Sequence, residues 1–535
     1  MTKIRYMGHA GLIIETDNTR IAFDPWFASP AYCGNWHIFP KPVEPERFQE
    51  VEHLVISHGH EDHFHADTLK MLPKQAECWV PYGWYGGMVD MLIELGFEHV
   101  HEVPTFKRKR LGPDTWMTFV SNNLDTIIVI ESGERVIVNV NDALHAAHSS
   151  IIDMFVNAIR HRWPRIDTVL CGFGGASYFP NMVHAPGKDD RQVGTLREQL
   201  FAHNFCRIVE GLAPRQAIPF AADFALLDDD RRWIAETRFA RESLPGYFSE
   251  HFPKSSAEIV VMYPGDVLRD DDLLAESPYR AELGENGLEH LLEQQYAEQI
   301  GAKRQASMTS NGTGDVLAEQ LSSVLTERAA LFGEDSLSRI RMCIQVPDLP
   351  ELNCFNISFE GSRPIIERSG EPASTCNIRL EANSAVLLSG FEHEWGGEAI
   401  TIGYGAHIEV MDSADLPLKL DNLAIDLITR LPSASRHIKK EPVRGVRYML
   451  SNPLSMKWAL KRAMGAGKQE INPFDQNIWL TRSKCDICRL CDLPLLDDGA
   501  LGPDLIPAEV SQAAPASRSS SRPKQSYQRR AVRAI

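Results

Sequence analysis

A short apolar run, residues 53–57 (HLVIS), passes without a break into HGHEDHFH and then into the amphipathic ADTLKML. No other stretch restricts the fold so tightly. Leu54, Val55 and Ile56 are hydrophobic in succession, the pattern of a strand covered on both faces in a layered α/β protein. A polar loop between such a strand and a helix lies at the strand's C-terminal end, where open α/β sheets carry their sites. His58 and His60 stand two apart in an extended segment, so their imidazoles leave the chain on the same side. Asp62 and His63 then turn toward a second point as the helix begins, and one loop can serve two cations. Imidazole and carboxylate suit zinc, iron or manganese, and three protein ligands with an open position is the arrangement of a catalytic ion. A solvated loop does not account for so many histidines and acids at ligand spacing with no His-rich tract around them.

The chain has 535 residues and is 43% hydrophobic, more than one core needs, so two or three domains are expected. Residues 1–270 alternate β runs (HLVISH, AECWVPY, TWMTFV, DTIIVIESGERVIVNV, DTVLCGF, IVVMY) with helical patterns (HADTLKMLP, GMVDMLIELG, TLREQLFAHNFCRIVEGLAP). They read as one α/β layered domain. Residues 271–314 are charged and helix-prone and break at ASMTSNGTGD, a helical linker. Residues 315–435 hold a helix (VLAEQLSSVLTERAALF), strands (RIRMCIQV, CFNISFE, CNIRLEAN, AITIGYGAHIEV) and a further helix, an α+β order that resembles a sterol-carrier-type lipid-binding module. Residues 436–511 form a C-terminal extension. Residues 512–535, rich in Ser, Pro and Arg, have too little to bury to offset their ordering entropy and are expected to be a disordered basic tail. The acidic runs DDDRRW and RDDDLL fit solvated helix starts.

A formal charge of −17 argues against general nucleic-acid binding. No window approaches the about 18 consecutive apolar residues of a membrane span, and the N-terminal MTKIRYMGHAGLIIE lacks the apolar core of a signal peptide, so the cytoplasm is the expected compartment. Ten cysteines are too sparse for a disulfide framework, and most, such as Cys171 and Cys343, read as small core residues. Cys485, Cys488 and Cys491 in KCDICRLCD have the C-x2-C-x2-C spacing of a zinc or iron-sulphur site, one ligand short. The alternative is free thiols. FGGASYFP, residues 173–180, either brings backbone amides close to a substrate or phosphate or packs a tight turn, and Ser177 within it lacks a partner for a nucleophilic triad.

His58-Gly59-His60-Glu61-Asp62-His63 is an H-x-H-x-D-H motif, and on it the chain resembles the metallo-β-lactamase superfamily. The resemblance implies an α/β fold, the metallo-β-lactamase αββα sandwich, followed here by a smaller α+β domain. It implies two divalent metal ions, Zn or Fe: His58 and His60 on the first, Asp62 and His63 on the second. Asp142, in VIVNVNDA, matches the carboxylate that bridges them, and Asp24, in IAFDPW, matches an acid that supports the ligands from behind. More narrowly, RIAFDPWFASPAYCGNWH, ISHGHEDHFHADTLKML, FGGASYFP and LAPRQAIPFAADF, over roughly residues 4–268, are similar to the metallo-β-lactamase-like part of the CMP-N-acetylneuraminate hydroxylase family, which converts the acetyl group of a sialic acid nucleotide to glycolyl. Two departures stand out. The Rieske pairs C-x-H and C-x-x-H of that family do not occur in this sequence. The superfamily's third histidine, expected after TWMTFV, falls on SNNLDT, and its last, expected after QAIPFAAD, has no match, with Asp223 standing in the same stretch. His145, His148 and His184 are open as replacements, the first two reading equally as helix-surface residues. His9, in GHAG, reads as a structural residue near the pocket.

The first expectation is a metallohydrolase in which the ion pair lowers the pKa of bound water from ~15.7 toward ~7, with Asp62 orienting that water. No electron donor is then needed. The second is a non-haem iron monooxygenase using the same ligands on a nucleotide sugar, with electrons from a donor protein or from a cluster at Cys485, Cys488 and Cys491. The third is a scaffold or lipid-binding protein with an eroded metal site. In the enzyme readings the partner is a small molecule, a nucleotide sugar or a phosphate ester.

Overall fold

The computed structural model describes residues 1–454, 456 and 457, apart from 123–124, 148, 177–179, 185–188, 286, 306–311, 393–395, 411–419 and 430–438. Its first half is built on two sheets. One runs in the order Asp272–Leu274, Val267–Arg269, Lys3–Gly8, Gly11–Glu15, Arg20–Phe23, His53–Val55, Glu77–Pro81, His99–Val103, antiparallel up to Arg20–Phe23 and parallel beyond it. The other runs Glu258–Ile259, Gln216–Phe220, Thr168–Gly172, Arg135–Asn141 in parallel, then Asp125–Ser132, Thr115–Asn122 and Lys109–Arg110 as an antiparallel meander.

Alternation of side chains along each strand decides how these sheets stack. Ile4, Tyr6, Leu12, Ile14, Phe23 and Val55 of the first sheet pack against Phe119, Ile128, Ile130, Ile137, Leu170 and Ile218 of the second in one core. On the outer face of the first sheet, Ile13, Leu54, Ile56 and Val80 meet Leu69 of helix Ala66–Met71 and Leu92 of helix Gly87–Glu94. On the outer face of the second, Val129, Val138 and Val169 meet Phe155 of helix Ser149–Arg162 and Phe205 of helix Asp190–Leu212. Helices, two sheets, helices: this is the expected αββα sandwich.

The second half carries a six-stranded sheet in the order Val183–His184, Ala406–Val410, Ile378–Ala382, Met342–Gln345, Cys354–Glu360, Arg363–Ser369. Its edge strand comes from the first half, and Val193, Leu196 and Leu200 of helix Asp190–Leu212 share its core with Leu317, Leu321 and Val324 of helix Thr313–Ala329. The two halves are thus tied by main-chain pairing and by a common apolar cluster.

Several local expectations change. RDDDLL is a hairpin, not a helix start: Val267–Arg269 pairs with Asp272–Leu274, and the Asp271 carboxylate binds Arg135 at 2.7 Å and Arg215 at 2.6 Å. The segment from 271 therefore begins as a sheet edge before becoming helical at Tyr279–Glu285 and Gly287–Arg304. Asp228 and Asp229 of DDDRRW pair with Lys303 and Arg304 of that last helix, at 2.5 and 2.8 Å. AITIGYGAHIEV divides into helix Gly397–Ile400 and strand Ala406–Val410, because Gly403 lies where a Cβ would come within 2.4 Å of the Tyr32 Cβ and Gly405 where one would come within 2.3 Å of the Ala399 carbonyl oxygen. Strand His99–Val103, strand Arg363–Ser369 and helix Ser384–Glu392 take their form from packing, whereas helix Ser149–Arg162 has a helical apolar stripe, Ile151, Ile152, Phe155, Val156 and Ile159. No helix among the described residues is long and apolar enough to cross a membrane. The tail at 512–535, and the extension beyond 457, lie outside the described residues.

Two buried histidines set an acid limit on the fold. His37 and His203 are 6% and 3% exposed, and burial, helped by Lys303 beside the one and His251 beside the other, pulls each imidazole down from 6.5 to about 4. A ring neutral in the fold but charged at 6.5 when unfolded stabilises the fold fully above the unfolded value, and this contribution is lost as pH falls from about 6.5 to about 4. The melting temperature is expected to fall across that window, by at most about 1.4 kcal/mol of stability per pH unit for each ring. His203→Gln is expected to make the acid limb shallower, measured by thermal melts at pH 7, 5.5 and 4.

Candidate metal centre

Asp24 follows strand Arg20–Phe23 in a left-handed conformation, φ 40°, which Asp adopts more readily than most residues. This turns its carboxylate toward the neighbouring parallel strand. Ser57 donates its N–H to Oδ1 at 2.8 Å and its hydroxyl to Oδ2 at 2.6 Å, and His63 Nδ1 lies 3.0 Å from Oδ2. Because the Ser57 hydroxyl hydrogen is directed to Asp24, Ser57 Oγ accepts from His58 Nδ1 at 2.9 Å. Both imidazoles thereby carry hydrogen on Nδ1 and turn Nε2 to the pocket, the usual support of a metal-binding histidine.

Three groups of ligand atoms converge there, each within 4.8 Å: His58, His60 and Asp125; His58, His63 and Asp142; His9, Asp62 and His63. His58 Nε2 faces His60 Nδ1 at 2.8 Å and Asp125 Oδ1 at 3.7 Å. Asp142 follows strand Arg135–Asn141, and its Oδ2 lies 3.2 Å from His63 Nε2. Asp62 Oδ2 lies 3.6 Å from the same nitrogen and 2.8 Å from His9 Nε2, while Tyr32 donates its hydroxyl to Asp62 Oδ1 at 2.5 Å. Strand-end delivery from both sheets brings together residues far apart in sequence.

The electrostatics fit a cation. Burial, and then the charge of Asp142, push the Asp125 carboxyl up to about 7. Burial, with His63 and His60 alongside, holds His58 well below its usual range, in the neutral form that binds metals. Burial disfavours ionisation of Asp62, yet His63 and His9 hold it well below the usual carboxylate range. Burial opposes a charge on His63 and Asp62 and Asp142 favour it, with the balance upward. Asp125 Oδ1 and Asp142 Oδ1 are buried without a hydrogen-bond partner among the described residues, a state costing several kcal/mol for an ionised oxygen unless a cation is beside it. Partly buried acids, each with an oxygen that has no donor among the described residues, gathered around inward-facing imidazole nitrogens are a donor set that fits divalent ions.

Asp125 stands in the SNNLDT string at the position of the superfamily's third histidine, an acid where an imidazole is expected. Other candidates lie elsewhere. His184 joins the six-stranded sheet and binds Asp190 at 2.5 Å. The Asp223 carboxylate is engaged by Arg241 and Tyr6. His145 is buried outside the three groups, packed so closely that a Cβ on Gly175 would come within 2.8 Å of its Nε2. A Cβ on Gly174 would come within 2.9 Å of Glu198 Oε2, so the two glycines of FGGASYFP serve close packing. His148, Ser177, Cys485, Cys488 and Cys491 lie outside the described residues.

Residues 3–146 match the family model of the beta-lactamase superfamily domain. A putative Rieske 2Fe-2S iron-sulfur protein of Mycobacterium tuberculosis is 27% identical over 37% of this chain and 39% of its own. The cytidine monophosphate-N-acetylneuraminic acid hydroxylase of Danio rerio is 25% identical over 50% of this chain and 45% of its own. The chain thus spans less than half the length of these relatives. Among solved structures, CmlA, a diiron beta-hydroxylase from Streptomyces venezuelae, aligns with 49% of this chain and 53% of its own at 19% identity and TM-score 0.33.

Replacing Asp24 by Ala releases both supported imidazoles and is expected to weaken metal binding by about 10–100-fold. His60→Ala and Asp62→Ala are expected to lose most bound metal while circular dichroism shows a folded chain. Elemental analysis of the three purified variants checks this, and unfolding of the His60 or Asp62 variant would contradict it.

Proposed function

From the premise that this is a metallo-β-lactamase-fold protein, its residues 3–146 matching the model of the beta-lactamase superfamily domain, we propose that it is a non-haem di-iron monooxygenase that hydroxylates a small polar substrate. The observation that carries this reading is Asp125. With His58 and His60 it makes a two-histidine, one-carboxylate set where a zinc hydrolase of this motif has three imidazoles, and that set with open positions suits iron. The hydroxylase activity in the names of the curated relatives supports the same reading, and a nucleotide sugar is the substrate class to try first.

His58, His60 and Asp125 would hold one ion, Asp62 and His63 the other, and Asp142 would border both. When bound and reduced, the iron pair supplies activation of dioxygen, one atom going to the substrate and the other to water, with the electrons coming from a separate donor protein. The chain's own contribution is positional. Asp24 and Ser57 fix the ring orientation of His58 and His63. Tyr32 holds Asp62 from the far side. Trp26, Trp36, Phe224 and Tyr404 form an apolar cluster beside His9 that excludes water from that flank. A hydrolase would use the same ligands without a donor, and the acid at position 125 is what favours oxygenation over it.

Protein purified without chelator is expected to contain two irons per chain and visible absorption bleached by dithionite. Asp125→His, which restores a third imidazole, is expected to raise the zinc-to-iron ratio at least about tenfold in elemental analysis. Zinc alone in the wild-type chain, together with phosphate-ester hydrolysis, would overturn the oxygenase reading.

A further inference from the structure

His9 lies in the turn between Lys3–Gly8 and Gly11–Glu15, in a left-handed conformation with φ 49°, and is 2% exposed. Its ring is held edge-on by Trp26 at 5.2 Å, His63 at 5.6 Å and Phe224 at 6.3 Å. The two ring nitrogens have different surroundings. Nδ1 is 3.1 Å from the backbone carbonyl oxygen of Asp223; a carbonyl only accepts, so Nδ1 carries the hydrogen and Nε2 of the neutral ring offers a lone pair. That lone pair meets another acceptor, Asp62 Oδ2, at 2.8 Å. His63 repeats the pattern, with Nδ1 turned to Asp24 and Nε2 3.6 Å from the same Asp62 oxygen. Each of these two imidazole nitrogens needs a proton or a cation between it and the one carboxylate oxygen, and a single divalent ion meets both needs at once.

The position explains the choice of residue. The superfamily's last histidine, expected just past strand Gln216–Phe220, is missing from this chain. What that strand end supplies instead is Asp223, whose carboxylate is taken by Arg241 and Tyr6 and whose carbonyl fixes the His9 ring. We propose that His9 is the third protein ligand of the second ion, completing the set with Asp62 and His63 in place of the missing histidine. This assignment rests on the dinuclear reading above. It changes the part given to His9 from a structural residue to a ligand, and it predicts that the GHAG turn is part of the metal centre.

Metal-free full-length protein titrated with cobalt(II), followed by elemental analysis, separates the two claims without an activity assay. The wild-type chain is expected to take two equivalents. His9→Gly, which suits the positive φ, and His9→Gln, whose amide could hold Asp62 by donating to it, are each expected to keep the first equivalent and to bind the second at least about 100-fold more weakly, more than the loss of a supporting residue costs. Free imidazole is expected to restore the second equivalent in His9→Gly. Two equivalents at wild-type affinity in His9→Gln would overturn the assignment, leaving the ring as a holder of Asp62. Fewer than two equivalents in the wild type would bring down the dinuclear reading and this assignment with it. Thermal melts of the metal-free variants report folding, and loss of the second equivalent in a variant that melts like the wild type supports the ligand role.

Discussion

The carboxylate of Asp24 is the interaction on which the rest of the site depends. It is buried, it sits at the end of one parallel strand, and its accepted hydrogen bonds all come from the loop that leaves the next: Ser57 twice and His63 once. Hydrogen bonds to a charged group contribute roughly 1.5–3 kcal/mol each, enough to hold an eight-residue His-rich loop in one geometry despite its lack of regular structure. The same bonds choose the tautomers of His58 and His63, so one acid at the strand end determines which nitrogen of each ring points into the pocket.

That order is obtained against electrostatic resistance. Asp62, Asp125 and Asp142 are gathered around the same imidazoles, and two unit charges about 4 Å apart interact by about 4 kcal/mol at an effective dielectric near 20. The rise of the Asp125 carboxyl to about 7 is the trace of this repulsion on top of burial. Such a cluster is tolerated because the sandwich around it is held by apolar clusters that contain none of the ligand residues. The second half of the chain also presses on the site. Tyr32, which holds Asp62, packs against Gly403, and Asn35 Nδ2 donates to the Ala399 carbonyl oxygen at 3.3 Å. The six-stranded sheet is therefore a wall of the pocket as well as a neighbour.

Legibility in the sequence followed the range of the interactions involved. Strand, loop and helix around His58 were readable because periodicity and spacing are local. Asp24 and Asp142 were readable because each falls just past an apolar strand in a recognisable string. Asp125 is less legible, because it is the pairing of Thr115–Asn122 with Asp125–Ser132 that brings its carboxylate to His58. In the sequence His9 reads only as a residue near the pocket, because what orients its ring is a backbone carbonyl some two hundred residues away in sequence. RDDDLL failed differently: a charge pattern reads alike in a helix start and in a hairpin, and the pairing with Lys3–Gly8 through Val267–Arg269 decided.

The exchange of an imidazole for Asp125 alters more than the identity of one ligand. A neutral ring leaves the charge of the ion untouched, whereas an ionised carboxylate subtracts one unit of charge at bonding distance. Within a buried pocket that subtraction is worth far more than in water. It weighs more on an ion that gains positive charge during turnover than on one that keeps its charge, so it stabilises the oxidised state of a redox metal preferentially and gives zinc no comparable advantage. Oxygen donors also sit comfortably with the higher coordination numbers of iron, while a third imidazole suits a tetrahedral ion. With Asp142 and Asp62 already contributing negative charge, Asp125 brings the carboxylate total to −3 and leaves a divalent pair with a net charge of only +1, a balance that favours a further positive charge on an ion that can be oxidised. Under the oxygenase reading proposed above, this physical asymmetry, rather than the motif shared with hydrolases, is what would separate the two chemistries.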